Sequence, residues 1–143
     1  MTQTLLKPDV LLVSSHPEIS CVALGNCKRR LVAGSTEETA KLMGWDVSTN
    51  SPLFQIHLPG FVSVLLLKLA PSGRSAAAVA LARSGHKYLL LVDLEARQVR
   101  AVHHFYQPTL INDLSFAPGR DNVVTLCGVN YMAEWRHQNK TLT

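Results

Sequence analysis

Ile111-Asn112-Asp113-Leu114-Ser115-Phe116-Ala117-Pro118, then Val123-Val124-Thr125-Leu126-Cys127-Gly128-Val129, then Glu134-Trp135-Arg136 is the stretch that decides the fold. Three short apolar runs are separated by turn-forming residues, the pattern of consecutive strands. Upstream of it the same order occurs twice more. The opening Leu114-Ser115-Phe116-Ala117-Pro118 matches Leu67-Lys68-Leu69-Ala70-Pro71 and, more loosely, Cys21-Val22-Ala23-Leu24. The ending corresponds to Leu91-Val92-Asp93 and Gly44-Trp45-Asp46. From Leu24 to Leu69 to Phe116 the intervals are 45 and 47 residues; from Trp45 to Val92 to Trp135 they are 47 and 43. Such a period belongs to propeller blades of four strands each. The expected fold is therefore all-β, a partial β-propeller of about three four-stranded antiparallel blades. Three blades are too few to close a ring.

Each repeat divides into four expected strands. The inner ones are Ile19–Leu24, Val62–Leu69 and Ile111–Phe116. The second are Arg30–Ser35, Ser75–Ala82 and Asn122–Cys127, and the third are Lys41–Asp46, Tyr88–Asp93 and Tyr131–Trp135. The outer ones are Val10–Ser14, Leu53–His57 and Val99–His103. Residues 75–82 have a helix-favouring composition, but Pro71-Ser72-Gly73 before them is a turn signal that joins strands. The equivalent segments, Leu31-Val32-Ala33-Gly34 and Val123-Val124-Thr125-Leu126, are better strand formers. Residues 75–82 are thus expected to form a buried strand whose small side chains let neighbouring sheets approach closely. The repeats run outer, inner, second, third, over about 9–52, 53–97 and 98–137. Residues 1–8 and 138–143 read as tails. That order offsets repeats from blades by one strand, so that one strand is donated across the seam.

At 143 residues, with 47% apolar and 17% charged residues, the chain has the composition of one folded domain rather than of a disordered segment. Its low charge also suggests surface that something else covers. A net charge of +4 is mildly basic, well short of the dense patch of a dedicated nucleic-acid binder. Cys21, Cys27 and Cys127 leave an odd thiol and contain no CxxC, which points to reduced, buried thiols in an intracellular protein. Met1-Thr2-Gln3-Thr4 lacks the basic-then-apolar order of a secretory signal. The apolar run Phe61 to Leu67, interrupted by Ser63, is far short of the roughly 20 residues of a spanning helix. A soluble, non-secreted chain is expected.

On these motifs the chain resembles the WD-repeat β-propeller superfamily. Trp45-Asp46 is the namesake dipeptide at the end of a third strand, and Val92-Asp93 and Trp135-Arg136 are degenerate forms of it. The third repeat looks like blades of the echinoderm microtubule-associated protein-like family and of related ciliary and flagellar WD-repeat proteins; Ile19 to Leu24, Leu31 to Gly34 and Trp45-Asp46 agree with it. The resemblance covers about residues 10 to 137. It implies structural roles for Trp45, Asp46, Asp93 and Trp135, and a location in the cytoplasm or cytoskeleton, in a cilium or flagellum. The chain departs from the usual repeat in two respects. Its Gly-His pair is reduced to the His of Ser15-His16 and His103-His104, and the turn Asp is replaced by Glu37 or Glu38 in the first repeat and by no acid in the others. The buried His–Asp–Ser/Thr–Trp network of regular blades is therefore expected to be incomplete. Blades weakened in this way depend on packing against neighbours.

No catalytic constellation stands out, and no cofactor or metal site is expected. His103 and His104 are adjacent strand residues that point to opposite faces and cannot readily share an ion. His57, His86 and His137 read as isolated. Ser14-Ser15 lacks a nucleophile elbow, and Ser72-Gly73-Arg74 and Ser84-Gly85-His86 are ordinary turns rather than phosphate-binding loops. The one charge cluster, Lys28-Arg29-Arg30, sits in a turn where it can meet an acidic surface such as a tubulin tail, or a phosphate backbone. Two functions are expected. The first is a non-catalytic scaffold segment, ciliary or microtubule-associated, bound to other proteins (tubulin or axonemal proteins) and completed by a second chain or by further blades. The alternative is a ribonucleoprotein module that contacts RNA through Lys28, Arg29 and Arg30, with Arg74, Arg97, Arg100 and Lys140 gathered on one face.

Overall fold

The computed structural model describes residues 18–24, 30–49, 51–105, 111–129 and 131–137. The expected outer strand Val10–Ser14, both tails, Cys27, Lys28, Arg29 and Lys140 lie outside them. Among the described residues there are eleven strands and no helix: β1 (Glu18–Leu24), β2 (Arg30–Thr36), β3 (Lys41–Asp46), β4 (Ser51–His57), β5 (Phe61–Leu69), β6 (Ser75–Ala82), β7 (Lys87–Asp93), β8 (Gln98–Phe105), β9 (Ile111–Phe116), β10 (Val123–Gly128) and β11 (Tyr131–Arg136). Every strand expected within these residues is present, its ends within two residues of the sequence reading.

All pairings are antiparallel. β1 to β4 form a first meander, β5 to β8 a second, and β9 to β11 a third. The first two meet at one bridge, Thr36 opposite Ser63, which makes them a continuous eight-stranded sheet. Two short hydroxyl side chains allow that approach, Thr36 Oγ1 and Ser63 Oγ being 2.8 Å apart. Each of the first two meanders draws its fourth strand from the start of the next sequence repeat. β4 is paired with β3, not with β5. The meander boundary therefore falls at residues 58–60 rather than before residue 53, because the short β3–β4 link can only make antiparallel neighbours. The β4–β5 link instead carries the chain across to the next inner strand. β5 in turn touches β1 on one side and β9 on the other.

The turns follow their sequence. In Ala70-Pro71-Ser72-Gly73 the Gly73 N–H donates to the Ala70 carbonyl at 2.9 Å, and in Ala117-Pro118-Gly119-Arg120 the Arg120 N–H donates to that of Ala117 at 3.1 Å. Pro in the second place presets φ, and Gly119 at φ 69° takes the third place, where a side chain would be strained.

Alternation in β6 explains the core. Ala76, Ala78 and Ala80 face the first meander, in a cluster with Val32, Leu42, Ile56, Val64 and Leu90. Ala77 and Val79 face the third, with Leu89, Leu114, Val124 and Leu126. Ala76 through Ala80 are all at most 1% exposed, so β6 is covered on both faces, which a strand made mostly of methyl groups permits. Its helix-favouring composition is overridden by this burial.

Candidate functional site

The residues expected to be structural divide by face. Asp46 and Asp93 perform the same task one meander apart. The Ser48 N–H and hydroxyl donate to Asp46 Oδ1 at 2.9 and 2.6 Å. The Glu95 and Ala96 N–H groups donate to Asp93 Oδ1 at 2.9 and 3.0 Å. Each carboxylate thus fastens the turn into its outer strand. The Arg100 guanidinium adds an ion pair to Asp93 Oδ2 at 2.5 Å. The Ala96 N–H above all, then Arg100 and the Glu95 N–H, hold the Asp93 carboxyl below the usual carboxylate range. At the third position Arg136 replaces the acid and pairs with Glu134 at 2.8 Å.

Trp135 packs at the edge of the cluster between the second and third meanders, with the His103 ring 3.8 Å away between centroids. Its indole Nε1 is buried, with no hydrogen-bond acceptor among the described residues. Among those residues the Trp-linked polar network of this blade is therefore incomplete. Trp45 is half-buried and, paired with Leu31, lies on the face of the first meander turned away from the second. Glu37, rather than Glu38, takes the place of the turn acid: it accepts from Ser35 Oγ at 3.1 Å and pairs with Lys41 at 3.6 Å.

Arg30, the described member of the basic cluster, reaches across the fold. Its Nη1 donates to the Gly73 carbonyl at 3.0 Å. Arg83 Nη2 donates likewise to Glu38 O at 2.7 Å, and Arg97 Nη2 to Leu53 O at 3.4 Å. Three guanidinium groups thus lace the first two meanders together through backbone carbonyls. Arg74 pairs with Glu95 at 3.7 Å and Arg100 with Asp93. The arginines of the expected RNA-binding face are therefore engaged within the chain. Sequence reasoning missed these tethers, because their partners lie more than 40 residues away and are main-chain atoms.

The histidines also gain partners. His103 faces the third meander, whereas His104 stacks on Tyr88 at 4.6 Å and meets His86, with Nε2 to Nδ1 at 2.9 Å. The opposite orientation of His103 and His104 is as expected; the contact of His86 is not, since it depends on the β7–β8 register. Burial, with a smaller contribution from His104, pulls the His103 imidazole below its ordinary value. Among the described residues no three of His, Cys, Asp and Glu group to hold a metal ion.

Among the described residues, clefts open between the second and third meanders. One, of about 220 Å³, is mainly apolar and lined by Ala77, Leu91, Ala101, His103, Val124 and Trp135, among others. Beside it a polar cleft of about 240 Å³ holds Arg74, Asp93, Glu95, Arg100 and Asp121. There the Ser72 N–H donates to Asp121 Oδ1 at 3.2 Å, and the Ser72 hydroxyl to the same carboxylate, which ties the two meanders together.

No protein-family model matches the chain, and no curated protein does. Among solved structures it is similar to the WD40 repeats of RRP9, with a TM-score of 0.62 at 17% identity over 90% of this chain and 41% of that one. It is also similar to the β-propeller domain of Cps50 (Swd1) from Myceliophteria thermophila, with a TM-score of 0.65 at 12% identity over 86% and 40%. The fold is a partial β-propeller of WD40 type. A hydrazine synthase of Kuenenia stuttgartiensis is similar too, with a TM-score of 0.61 at 8% identity over 73% and 30%. The chain thus spans less than half the length of each of these structures. In propeller terms the three meanders are blades, and β1, β5 and β9 are their inner strands.

The two ends of this three-blade arc differ. On the first blade the face turned away from the second carries Val22 and Leu24, 58% and 56% exposed, beside Leu31. On the third blade the corresponding face carries Ser115, Thr125 and Glu134 in one row and Asp113, Cys127 and Met132 in the next. One end is apolar and the other largely polar.

Proposed function

We propose that the protein is a non-catalytic scaffold, a propeller segment that holds other proteins together in a larger assembly. The observation that carries this reading is the apolar end of the first blade. Val22 and Leu24 stand exposed on a sheet face whose opposite side is fully packed, and such a face gains by being covered. Completion of the propeller by further blades or by a second chain supplies that cover.

The third repeat's resemblance to echinoderm microtubule-associated protein-like blades supports a ciliary or microtubule-associated assembly, within the cytoplasm or cytoskeleton, with tubulin or axonemal proteins as partners. Co-sedimentation with microtubules that weakens as salt rises is the expected result, and its absence at low salt would remove this reading. The RNA-contacting alternative rests on Lys28, Arg29 and Arg30. It is weakened by the engagement of Arg30, Arg74, Arg97 and Arg100 with groups of the chain itself. RNA binding that is lost when Lys28, Arg29 and Arg30 are changed to Glu would restore it.

A further inference from the structure

His86 and His104 meet on the surface of the second blade. In the β7–β8 pair Tyr88 lies opposite His104, and alternation puts His86, two residues before Tyr88, on that same face. His104 Nε2 and His86 Nδ1 are 2.9 Å apart. His86 is exposed and His104 half-buried.

Both residues are held by the fold. The His104 ring stacks on Tyr88 at 4.6 Å with 13° between the planes, and Tyr88 in turn meets Phe61 edge-on at 5.4 Å. His86 closes the β6–β7 turn, where the Ala82 N–H donates to its carbonyl at 2.9 Å and Gly85 takes a φ of 88°. Side chains placed in this way lose little further freedom on taking up a ligand. Arg83, in the same turn, reaches toward the first blade and donates to Glu38 O. His103 lies against Trp135 of the third blade and takes no part.

Two nitrogens each about 2.0–2.1 Å from a metal ion lie about 2.9 Å apart when they meet it at a right angle, and about 3.3–3.4 Å apart at the tetrahedral angle. The observed 2.9 Å is the spacing of neighbouring positions in square-planar or octahedral coordination, the geometry of Ni(II) and Cu(II). We propose that His86 and His104 form a two-imidazole site for a divalent transition ion of that class. The exposed His86 ring turns until both lone pairs meet one ion, His104 keeps its stack on Tyr88, and water fills the other positions. The ring that donates in the hydrogen-bonded pair takes its other tautomer, so that both imidazoles bind neutral. The ion then clasps the β6–β7 turn to the outer strand β8. This site does not depend on what completes the propeller.

The test is titration of the untagged protein with Ni(II), followed through the imidazole C–H resonances, which substitution of each histidine by Gln assigns. The paramagnetic ion should broaden the His86 and His104 resonances together, ahead of those of His57, His103 and His137. Binding should saturate with a dissociation constant on the order of 10 µM. His86→Gln and His104→Gln should each weaken it about tenfold or more. His86→Gln, in an exposed turn, carries the comparison if His104→Gln disturbs the Tyr88 stack. Saturating Ni(II) should also raise the urea midpoint of the wild type and not that of His86→Gln, since only the folded chain holds the two rings together. Broadening spread evenly over the histidines would mark an adventitious ion only and overturn the proposal. So would unchanged affinity in His86→Gln, which reduces the pair to a hydrogen bond.

Discussion

Gly34→Ala should destabilise the protein, through the contact that brings the first two blades together. A Cβ at position 34 would lie 2.6 Å from Val64 Cβ, 2.7 Å from its Cγ1 and 3.0 Å from the Cys21 sulfur. Rotating Val64 cannot relieve the first of these contacts, because its Cβ is fixed to the backbone. That backbone is held by β6, through Ala80, and by Ser20 Oγ, which donates to the Val64 carbonyl at 2.5 Å. The blades must therefore separate, in a core where Val64 is fully buried. Overpacking of this kind costs about 1–3 kcal/mol. Replacing a strand glycine returns about 0.5–1 kcal/mol of chain entropy. The net loss is about 1–2 kcal/mol, or a urea midpoint lower by about 0.5–1 M at a slope of about 2 kcal/mol/M. Gly44→Ala should cost less: its new methyl meets the far edge of the half-buried Phe54 ring, which can swing aside. Paired with Val64→Gly, the Gly34→Ala penalty should largely vanish, a coupling of about 1 kcal/mol or more. Unfolding of Gly34→Ala at the wild-type midpoint, or strict additivity with Val64→Gly, would refute the reasoning.

Further predictions concern the titrating and turn residues. In Trp45→Phe protein, Trp135 fluorescence should titrate with a midpoint below the ordinary imidazole value of about 6.5, because the His103 ring lies tilted against the indole and burial disfavours its charged form. Since the unfolded chain takes up that proton first, His103 withdraws stability as pH falls through about 6.5 toward its folded value. Asp93→Ala should cost about 1–2 kcal/mol in urea unfolding through the loss of the Glu95 and Ala96 hydrogen bonds. The stabilisation from Asp93 is present above the unfolded carboxyl value of about 3.9 and is lost as pH falls through its lower folded value. Asp93→Asn should accordingly flatten the acid limb of the stability curve. Cys127 is exposed rather than buried as expected, because Cys127 faces outward from the third blade, and a thiol reagent should modify it well before Cys21, whose pKa is raised chiefly by burial; mass mapping of the modified peptides checks the order.

The strands were legible because their signals are local. Alternating apolar residues between Pro- and Gly-containing turns mark β5, β6, β9 and β10, and repetition settled the case of residues 75–82, where composition alone pointed to helix. For Asp46 and Asp93 the resemblance implied structural roles, and the turn hydrogen bonds that each carboxylate accepts are details that the folded chain adds. The arginine tethers were not legible. Arg30, Arg83 and Arg97 look like surface charge in the chain, and only folding brings each beside a carbonyl of the neighbouring blade. The His86–His104 contact was missed because it depends on strand register.

By itself, then, the sequence determined the strand order, the blade repeat and the turns, all of which arise from interactions within a few residues of one another. The tertiary structure alone decided which face of each strand meets another blade, how the first two blades join at Thr36 and Ser63, and that Trp135 comes to lie beside His103 at the edge of the cluster between the second and third blades. Those outcomes follow from the stacking of sheets whose residues are about 45 positions apart, and no local pattern encodes that spacing in three dimensions.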